Sequence, residues 1–401
     1  MTVGRQRLAC AALAVGVACA PGRRASPPPF AERPPSVRFL EAPPPHDDGA
    51  WLVAGLPGAR WDAQLARAVD ALMLSTSQRT PSLDPRVTSL ATARAGFPGQ
   101  ARFGRVLNGG ARPEHLLDQI ASAAGADPVD VALSKRTWGD GTTLWLVGWA
   151  PHRADLDPLP RDLPLDGTLA VRVELPRGAD AARLFVASPA GPVEELSLTS
   201  GVPRWVDRFH EPGAYRLEVV AERGKQTEVV LLFSVFVDAE PPVVRPPPAV
   251  ELPPADPVAA ERWLYAELDR LRQAHGLRPV TRFPLFEPLA REHSALMAAS
   301  GVVAHRIPGR TDGVPAKAAR VAHPGARHHE DVAAAATADA ALALVADSPG
   351  HLRNLLCEAC THASIGVALE PVLDRPPRLF VTWELLEFPQ APPQEIHHNN
   401  K

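Results

Sequence analysis

Cys357 and Cys360 are the residues of this chain whose type and spacing point most directly to chemistry. A C-x-x-C pair can form a disulfide, exchange electrons or hold a metal ion. A structural zinc site needs four ligands, and the sequence has no second C-x-x-C pair; a thioredoxin-type pair opens a helix, whereas this pair ends a predicted one. Because the N-terminal segment predicts export, we expect a disulfide, with a redox pair and a metal site as the alternatives.

Histidines are the other reactive residues, and one of them lies in a distinctive run. No His-Glu-x-x-His pattern occurs, which excludes a helix-borne zinc site of that kind. His351 belongs to the run SPGHLRNLL at 348–356, and IGVA follows at 365–368. Together they resemble the SPGH-RxN-IL…IGVA signature of bacterial CAP domains, the superfamily of cysteine-rich secretory proteins, antigen 5 and plant pathogenesis-related 1 proteins.

The resemblance covers about 130 residues, roughly 257–388, and its blocks come in the family's order. The blocks are two helix-like segments at 260–279 and 288–301, the dipeptide Ala304-His305, the HEDVA run at 329–333 in place of the family's Gly-Glu-Asn-Ile-Ala, and a strand-like segment at 378–388. Five blocks in the same order make this resemblance specific, where one block alone could arise by chance.

The resemblance implies a three-layer α-β-α sandwich with a cleft lined by histidines and acidic residues. The motif match places His305, Glu330 and His351 in that cleft. Two neutral imidazoles and one carboxylate are a suitable ligand set for zinc or another divalent cation, with water in the fourth position. The resemblance therefore implies a ligand cleft at these residues that has the donors for a metal ion. No catalytic residue is predicted.

Each site residue also has a structural interpretation. His351 follows Pro349-Gly350 and could orient its helix by hydrogen bonds, and His305 could be satisfied within the cleft without a metal ion. Ser348 precedes the proline of a helix start, where capping is its ordinary role. His293 lies on or beside an apolar helix face and is expected to be a satisfied core histidine.

The N-terminus has the anatomy of an export signal. Arg5 and Arg7 precede an apolar stretch at 8–18 that is too short to span a bilayer as a stable helix. Cleavage before Cys19, followed by its lipidation, predicts a lipoprotein whose proline-rich tether begins directly after the anchor. Cleavage after Ala20 would give a freely secreted or periplasmic protein, but it places Pro21 next to the cut.

Composition and proline clusters predict the organisation of the rest of the chain. The net charge of -3 gives no electrostatic argument for nucleic-acid binding, and the 45 prolines cluster in spacers. We predict an α+β protein with these parts: signal peptide 1–19, proline-rich linker 20–49, small α+β region of unknown role 50–155, immunoglobulin-like β-sandwich 163–240, proline-rich linker 241–257, CAP domain 258–388 with its three-layer sandwich, and tail 389–401.

Two functional hypotheses follow. The sequence favours a non-enzymatic binding module of the cell envelope, whose cleft holds a lipid, a cell-wall polymer fragment or an envelope protein. The alternative is a metal-dependent hydrolase acting on peptide or wall substrates, in which His305 and His351 hold the ion and Glu330 is a third ligand or a general base. A purely structural role remains as a third interpretation.

Overall fold

The computed structural model describes residues 47–75, 80–125, 127–179, 181–190, 193–224, 226–244, 256–307, 326–370 and 378–388. The predicted signal peptide with Cys19, most of both proline-rich linkers and the tail lie outside the described residues. All described residues belong to one compact unit. Within them, none of the helices combines the length and the apolar character needed to cross a membrane.

In the N-terminal region, helices alternate with the strands of the first sheet along the chain. Its elements are α1 (Asp47–Ala54), β1 (Ala59–Trp61), α2 (Ala63–Leu74), α3 (Pro85–Ala95), β2 (Arg102–Asn108), α4 (His115–Ala124), β3 (Val129–Thr137) and β4 (Thr143–Pro151). The strand order is β1-β3-β4-β2. The sequence pattern predicts helices at 61–74 and 114–124 and a strand at 143–149, which correspond to α2, α4 and β4. It did not predict α3, although Asp84 caps that helix and Gly96 ends it in the left-handed conformation.

The middle of the chain is entirely β-structure. Its strands are β5 (Asp155–Leu156), β6 (Asp162–Leu163), β7 (Leu169–Val171), β8 (Val173–Glu174), β9 (Ala181–Ala187), β10 (Val193–Leu198), β11 (Arg204–Val206), β12 (Gly213–Arg223) and β13 (Gln226–Val237). A five-stranded sheet, β10-β9-β12-β13-β6, shares one apolar core with two two-stranded sheets, β11-β7 and β5-β8. The Tyr215 hydroxyl accepts a hydrogen bond from the backbone N–H of Glu211 and so fixes the turn before β12.

The C-terminal sheet is enclosed by helices. The elements are α5 (Pro257–Ala274), β14 (Thr281–Arg282), α6 (Glu287–Ser300), β15 (Arg327–Ala335), α7 (Ala338–Asp347), α8 (Pro349–Leu355), β16 (His362–Leu369) and β17 (Leu379–Glu387). The strand order is β14-β16-β17-β15, so β15 is an edge strand. The predicted α+β class and the three-layer arrangement of this region are confirmed.

The two faces of this sheet pack against different helices. Met297 of α6 meets Val332 and Phe380 on one face, and α5 and α7 cover the other face around the fully buried Trp383. Helix α6 comes so close that a Cβ on Gly366 would lie 2.2 Å from a backbone carbonyl carbon of α6. The glycine of the IGVA run is therefore a packing requirement.

The β-sandwich contacts the start of helix α8. Glu218 of β12, which is 1% exposed, accepts a hydrogen bond from the Ser348 hydroxyl at 2.6 Å and one from the backbone N–H of Gly350 at 3.1 Å. Beside it, Arg216 forms an ion pair with Asp347, whose carboxylate also accepts from Ser89 of α3. This group of side chains, the α8 junction, joins all three sheet-bearing regions.

Candidate functional site

The structure brings His305 and Glu330 into direct contact. His305 lies in the segment after α6, and its Nδ1 is 2.8 Å from Oε1 of Glu330 on strand β15. The His305 side chain is 47% exposed, whereas that of Glu330 is 10% exposed. The pair therefore sits where a buried carboxylate meets a solvent-facing imidazole.

Electrostatics keep Glu330 ionised despite its burial. Burial by itself raises the pKa of a carboxyl, but the hydrogen bond to His305 and the nearby His293, His305 and His328 outweigh it and hold the pKa of Glu330 below its ordinary value. His293 is 2% exposed and its Nε2 is 3.0 Å from the carbonyl oxygen of Ala304, as expected for a satisfied core histidine.

His351 lies beside this pair, in the first turn of α8. Its backbone N–H donates to the Ser348 hydroxyl, which confirms the capping role predicted for that serine. The His351 ring centroid is 6.1 Å from that of His305, with 35° between the ring planes. Burial, and after it the neighbouring His305, lowers the pKa of His351 to about 4, so the ring is neutral at neutral pH.

The three predicted residues are neighbours, but their ligand atoms do not converge on one position. Among the described residues, His305, Glu330 and His351 do not form a set whose ligand atoms all lie within 4.8 Å of one another. Their donor types suit zinc, which binds imidazole and carboxylate at about 2.0–2.2 Å. A shared ion would require at least one of these side chains to move, so the three residues stay a predicted ligand set.

Two further residues belong to this site, and the sequence reasoning missed both. His328 and Glu384 lie next to Glu330, with ligand atoms of all three within 4.8 Å of one another. Burial, and then the adjacent Glu330 and Asp331 carboxyl groups, raises the pKa of Glu384 well above its ordinary value. These residues come together because β15 pairs with β17, and the register of that pairing cannot be read from a single sequence.

Neighbours of the motif residues have other roles. Asp331 projects to the opposite face of the sheet, where it is fully buried and accepts a hydrogen bond from the side-chain amide of Asn354 at 2.8 Å. Burial is the main cause that raises the pKa of Asp331 well above its ordinary value. Asp347, directly before Ser348, pairs with Arg216 at the α8 junction.

The predicted disulfide is present. Cys357 is bonded to Cys360 directly after α8. Arg272 of α5 is 1% exposed and donates hydrogen bonds to the backbone carbonyls of both cysteines and of Leu355. The disulfide loop is thereby tied to the long helix on the same face of the sheet.

Comparisons with known proteins place a family on the C-terminal part of the chain. Residues 265–382 match the model of the Cysteine-rich secretory protein family, CAP. No curated protein matches the chain.

Three solved structures show partial likeness to the chain. An extracellular protein containing a SCP domain from Bacillus anthracis is 14% identical and covers 51% of this chain and 88% of its own, with a TM-score of 0.28. A cysteine-rich secretory protein from Staphylococcus aureus is 11% identical and covers 68% of this chain and 92% of its own, with a TM-score of 0.25. An outer surface protein from Borrelia burgdorferi is 18% identical and covers 32% and 92%, with a TM-score of 0.27. At these scores the family assignment rests on the family model.

Proposed function

Because the C-terminal region of this chain is a CAP domain, we propose that the protein is an exported, non-enzymatic binding module of the cell envelope. The observation that carries the proposal is the grouping of His305, Glu330 and His351 at one edge of the sheet. One ionised carboxylate beside two imidazoles offers both hydrogen-bond acceptors and donors to a polar ligand. The ligand classes are a lipid headgroup, a cell-wall polymer fragment and an envelope protein.

The state of Ser348 supports binding rather than acyl transfer. Its hydroxyl donates to Glu218 at 2.6 Å and caps α8 by accepting from the backbone N–H of His351. A nucleophilic serine needs a hydroxyl that can face substrate beside a base. Ser348 is committed to the α8 junction and is buried.

The proposal includes export and a membrane anchor. Arg5, Arg7 and the apolar stretch at 8–18 support export, and Cys19 is the proposed lipidation site. A single acyl chain binds membranes marginally, so stable anchoring at Cys19 would take more than one chain or a second membrane contact. Mass spectrometry of the mature N-terminus tests this part: an acylated Cys19 supports the anchor, and an N-terminus at Pro21 refutes it.

A metal-dependent hydrolase is the second candidate, and the charge state of the site supports it. His351 is neutral at neutral pH and Glu330 is ionised, which are the forms that bind zinc. A bound zinc ion would supply Lewis-acid chemistry in this cleft. His305 and His351 would hold it, and Glu330 would act as third ligand or as the base that takes a proton from water.

The experiment compares full-length wild-type protein with His351→Ala and with the control His115→Ala, whose histidine is exposed on α4 in the first sheet region. The probes are purified peptidoglycan sacculi and vesicles of phosphatidylglycerol.

Binding by wild type and control, weakened at least tenfold in His351→Ala, supports the cleft as the ligand site. Equal binding by all three proteins would refute that location, and no binding of a folded wild type to either probe would refute lipid and wall ligands. Zinc-dependent release of soluble wall fragments, lost in His351→Ala, would favour the hydrolase.

A further inference from the structure

We propose that His328, Glu330 and Glu384 form a divalent-metal site on the α6 face of the C-terminal sheet. The site shares Glu330 with the proposed ligand cleft, but it uses neither His305 nor His351 and does not depend on the function proposed for them. Its donors are one imidazole and two carboxylates, and its ligand atoms all lie within 4.8 Å of one another.

Strand pairing builds this arrangement. His328 and Glu330 are two residues apart on β15, so their side chains project to the same face of the sheet. Glu384 is the direct partner of Glu330 on the antiparallel strand β17, and directly opposed side chains in such a pair have Cβ atoms about 5 Å apart. The Nε2 of His328 also contacts the Glu384 carboxylate. Three donors on two paired strands are held more rigidly than donors on a loop.

A buried carboxyl oxygen of Glu384 that has no hydrogen-bond donor within the described part of the chain points to a ligand. Glu384 is 0% exposed, and among the described residues no donor reaches its Oε1. By contrast, Thr382, two residues earlier on the same face, shares a hydrogen bond with Ser294 at 2.8 Å. A buried carboxyl oxygen without a partner costs free energy, and a second carboxylate directly opposite adds repulsion. A cation between Glu330 and Glu384 would remove both costs.

The donor set and the exposure of the site define the metal class. Carboxylates suit manganese, imidazole suits zinc, and a mixed set with three protein ligands leaves positions for water. The side chains of His328 and Glu330 are 13% and 10% exposed, which leaves the site a route to solvent. We therefore expect a first-row divalent ion, for which Zn²⁺ is the probe.

The test is calorimetric titration of Zn²⁺ into the full-length protein. Every variant is made in a His397→Ala/His398→Ala background, because that histidine pair at the end of the chain would bind zinc itself. The test variant is Glu384→Gln, and the control is Glu387→Gln on the same strand, whose carboxylate instead faces Arg327. We expect one-to-one binding in the background protein and the control, and binding weakened at least ~100-fold in Glu384→Gln.

A second variant covers the case in which Glu384→Gln does not fold. His328→Gln changes a residue nearer the surface, and its melting temperature with and without Zn²⁺ reports binding, because a ligand of the folded state raises that temperature. A zinc-induced rise in the background protein that is absent in His328→Gln supports the site. A folded background protein that binds no zinc, or zinc binding that both variants retain, would overturn it.

His351→Ala separates this site from the proposed ligand cleft. We expect His351→Ala to bind Zn²⁺ as the background protein does while losing the envelope probe. If zinc binding disappears in His351→Ala and persists in Glu384→Gln, the metal belongs to the cleft histidines and the cross-strand site is refuted. If both zinc and the envelope probe bind normally to His351→Ala, the cross-strand site stands and the cleft proposal fails.

Discussion

Replacing Glu218 by alanine should loosen the helix that carries His351, although Glu218 lies on a strand of the β-sandwich. The carboxylate accepts hydrogen bonds from the Ser348 hydroxyl and the Gly350 N–H, both at the first turn of α8. Leaving the buried Ser348 hydroxyl and the partly buried Gly350 N–H without their acceptor costs about 1–2 kcal/mol each. Burial, the main influence on this group, raises the pKa of Glu218, so removing the carboxyl returns part of that cost. We expect a net loss of about 2–3 kcal/mol.

Hydrogen exchange measured by mass spectrometry is the assay, because it resolves local opening of α8 (Pro349–Leu355) from unfolding of the rest. A loss of 2–3 kcal/mol corresponds to exchange roughly 30- to 150-fold faster in that segment, if closing remains fast. The control is Glu222→Ala, four residues along the same strand, where a partly exposed carboxylate pairs with Arg183. Such surface pairs are worth about 0–1 kcal/mol.

The reasoning fails if α8 exchanges in Glu218→Ala within threefold of its rate in wild type. It also fails if Glu222→Ala has the same effect as Glu218→Ala, since the contact with Ser348 would then not be the cause.

Glu218→Gln keeps an acceptor of the same shape and gives a pH prediction. Because the folded-state pKa of Glu218 is raised, the folded protein holds a proton that the unfolded chain has already released above about pH 4.5. The free energy of unfolding of wild type should therefore fall, relative to that of Glu218→Gln, as pH rises from about 4.5 through the folded-state pKa. Parallel pH profiles from urea titrations of the two proteins would contradict this sign.

Three further substitutions test the packing of the sheets. Gly366→Ala forces a methyl group against the backbone of α6 and should cost about 3 kcal/mol or more in urea unfolding, with Gly139→Ala as the control for a glycine that has open space around it and no left-handed backbone. Tyr215→Phe removes one hydrogen bond at the β12 turn and should cost about 1 kcal/mol; no loss would mean that the hydroxyl is as well satisfied by water. Arg272→Met removes the guanidinium donor from four backbone carbonyls and should cost about 3 kcal/mol in the C-terminal region, with exposed Arg270→Met unchanged.

The C-terminal architecture was predictable because its sequence blocks resemble those of CAP domains, and the structure shows the physical role of two of their residues. Gly366 is fixed by the approach of α6, and Ser348 by the cap and the contact with Glu218. Alternation and turn residues predict five strands in the β-sandwich region, at 169–175, 182–186, 193–198, 215–221 and 228–237. The last four correspond to β9, β10, β12 and β13, whereas the first is divided into β7 and β8. Burial on one face gives a strand its period of two, and the sequence records that period directly.

The first sheet was less predictable, for an identifiable reason. Strand β3 begins with five consecutive buried residues and β4 with eight, so neither shows the alternation of a half-buried strand. Helix α3 has a weak apolar pattern, and the Asp84-Pro85 start is its clearest sequence signal. In this region the apolar periodicity of Leu65, Val69 and Leu72 predicts α2, and the Gly-Asp-Gly turn at 139–141 marks the start of β4.

The histidine cleft could be predicted from the sequence, whereas the cross-strand pair of Glu330 and Glu384 could not. His351 was predicted because it lies inside the SPGHLRNLL run, which resembles the CAP signature. Glu384 became visible only when β17 was placed beside β15, which opposes it to Glu330 over a separation of 54 residues. The same pairing makes Glu330 common to both groups, so a change at Glu330 cannot distinguish them. Changes at His351 and at Glu384 can, because each residue belongs to one group alone.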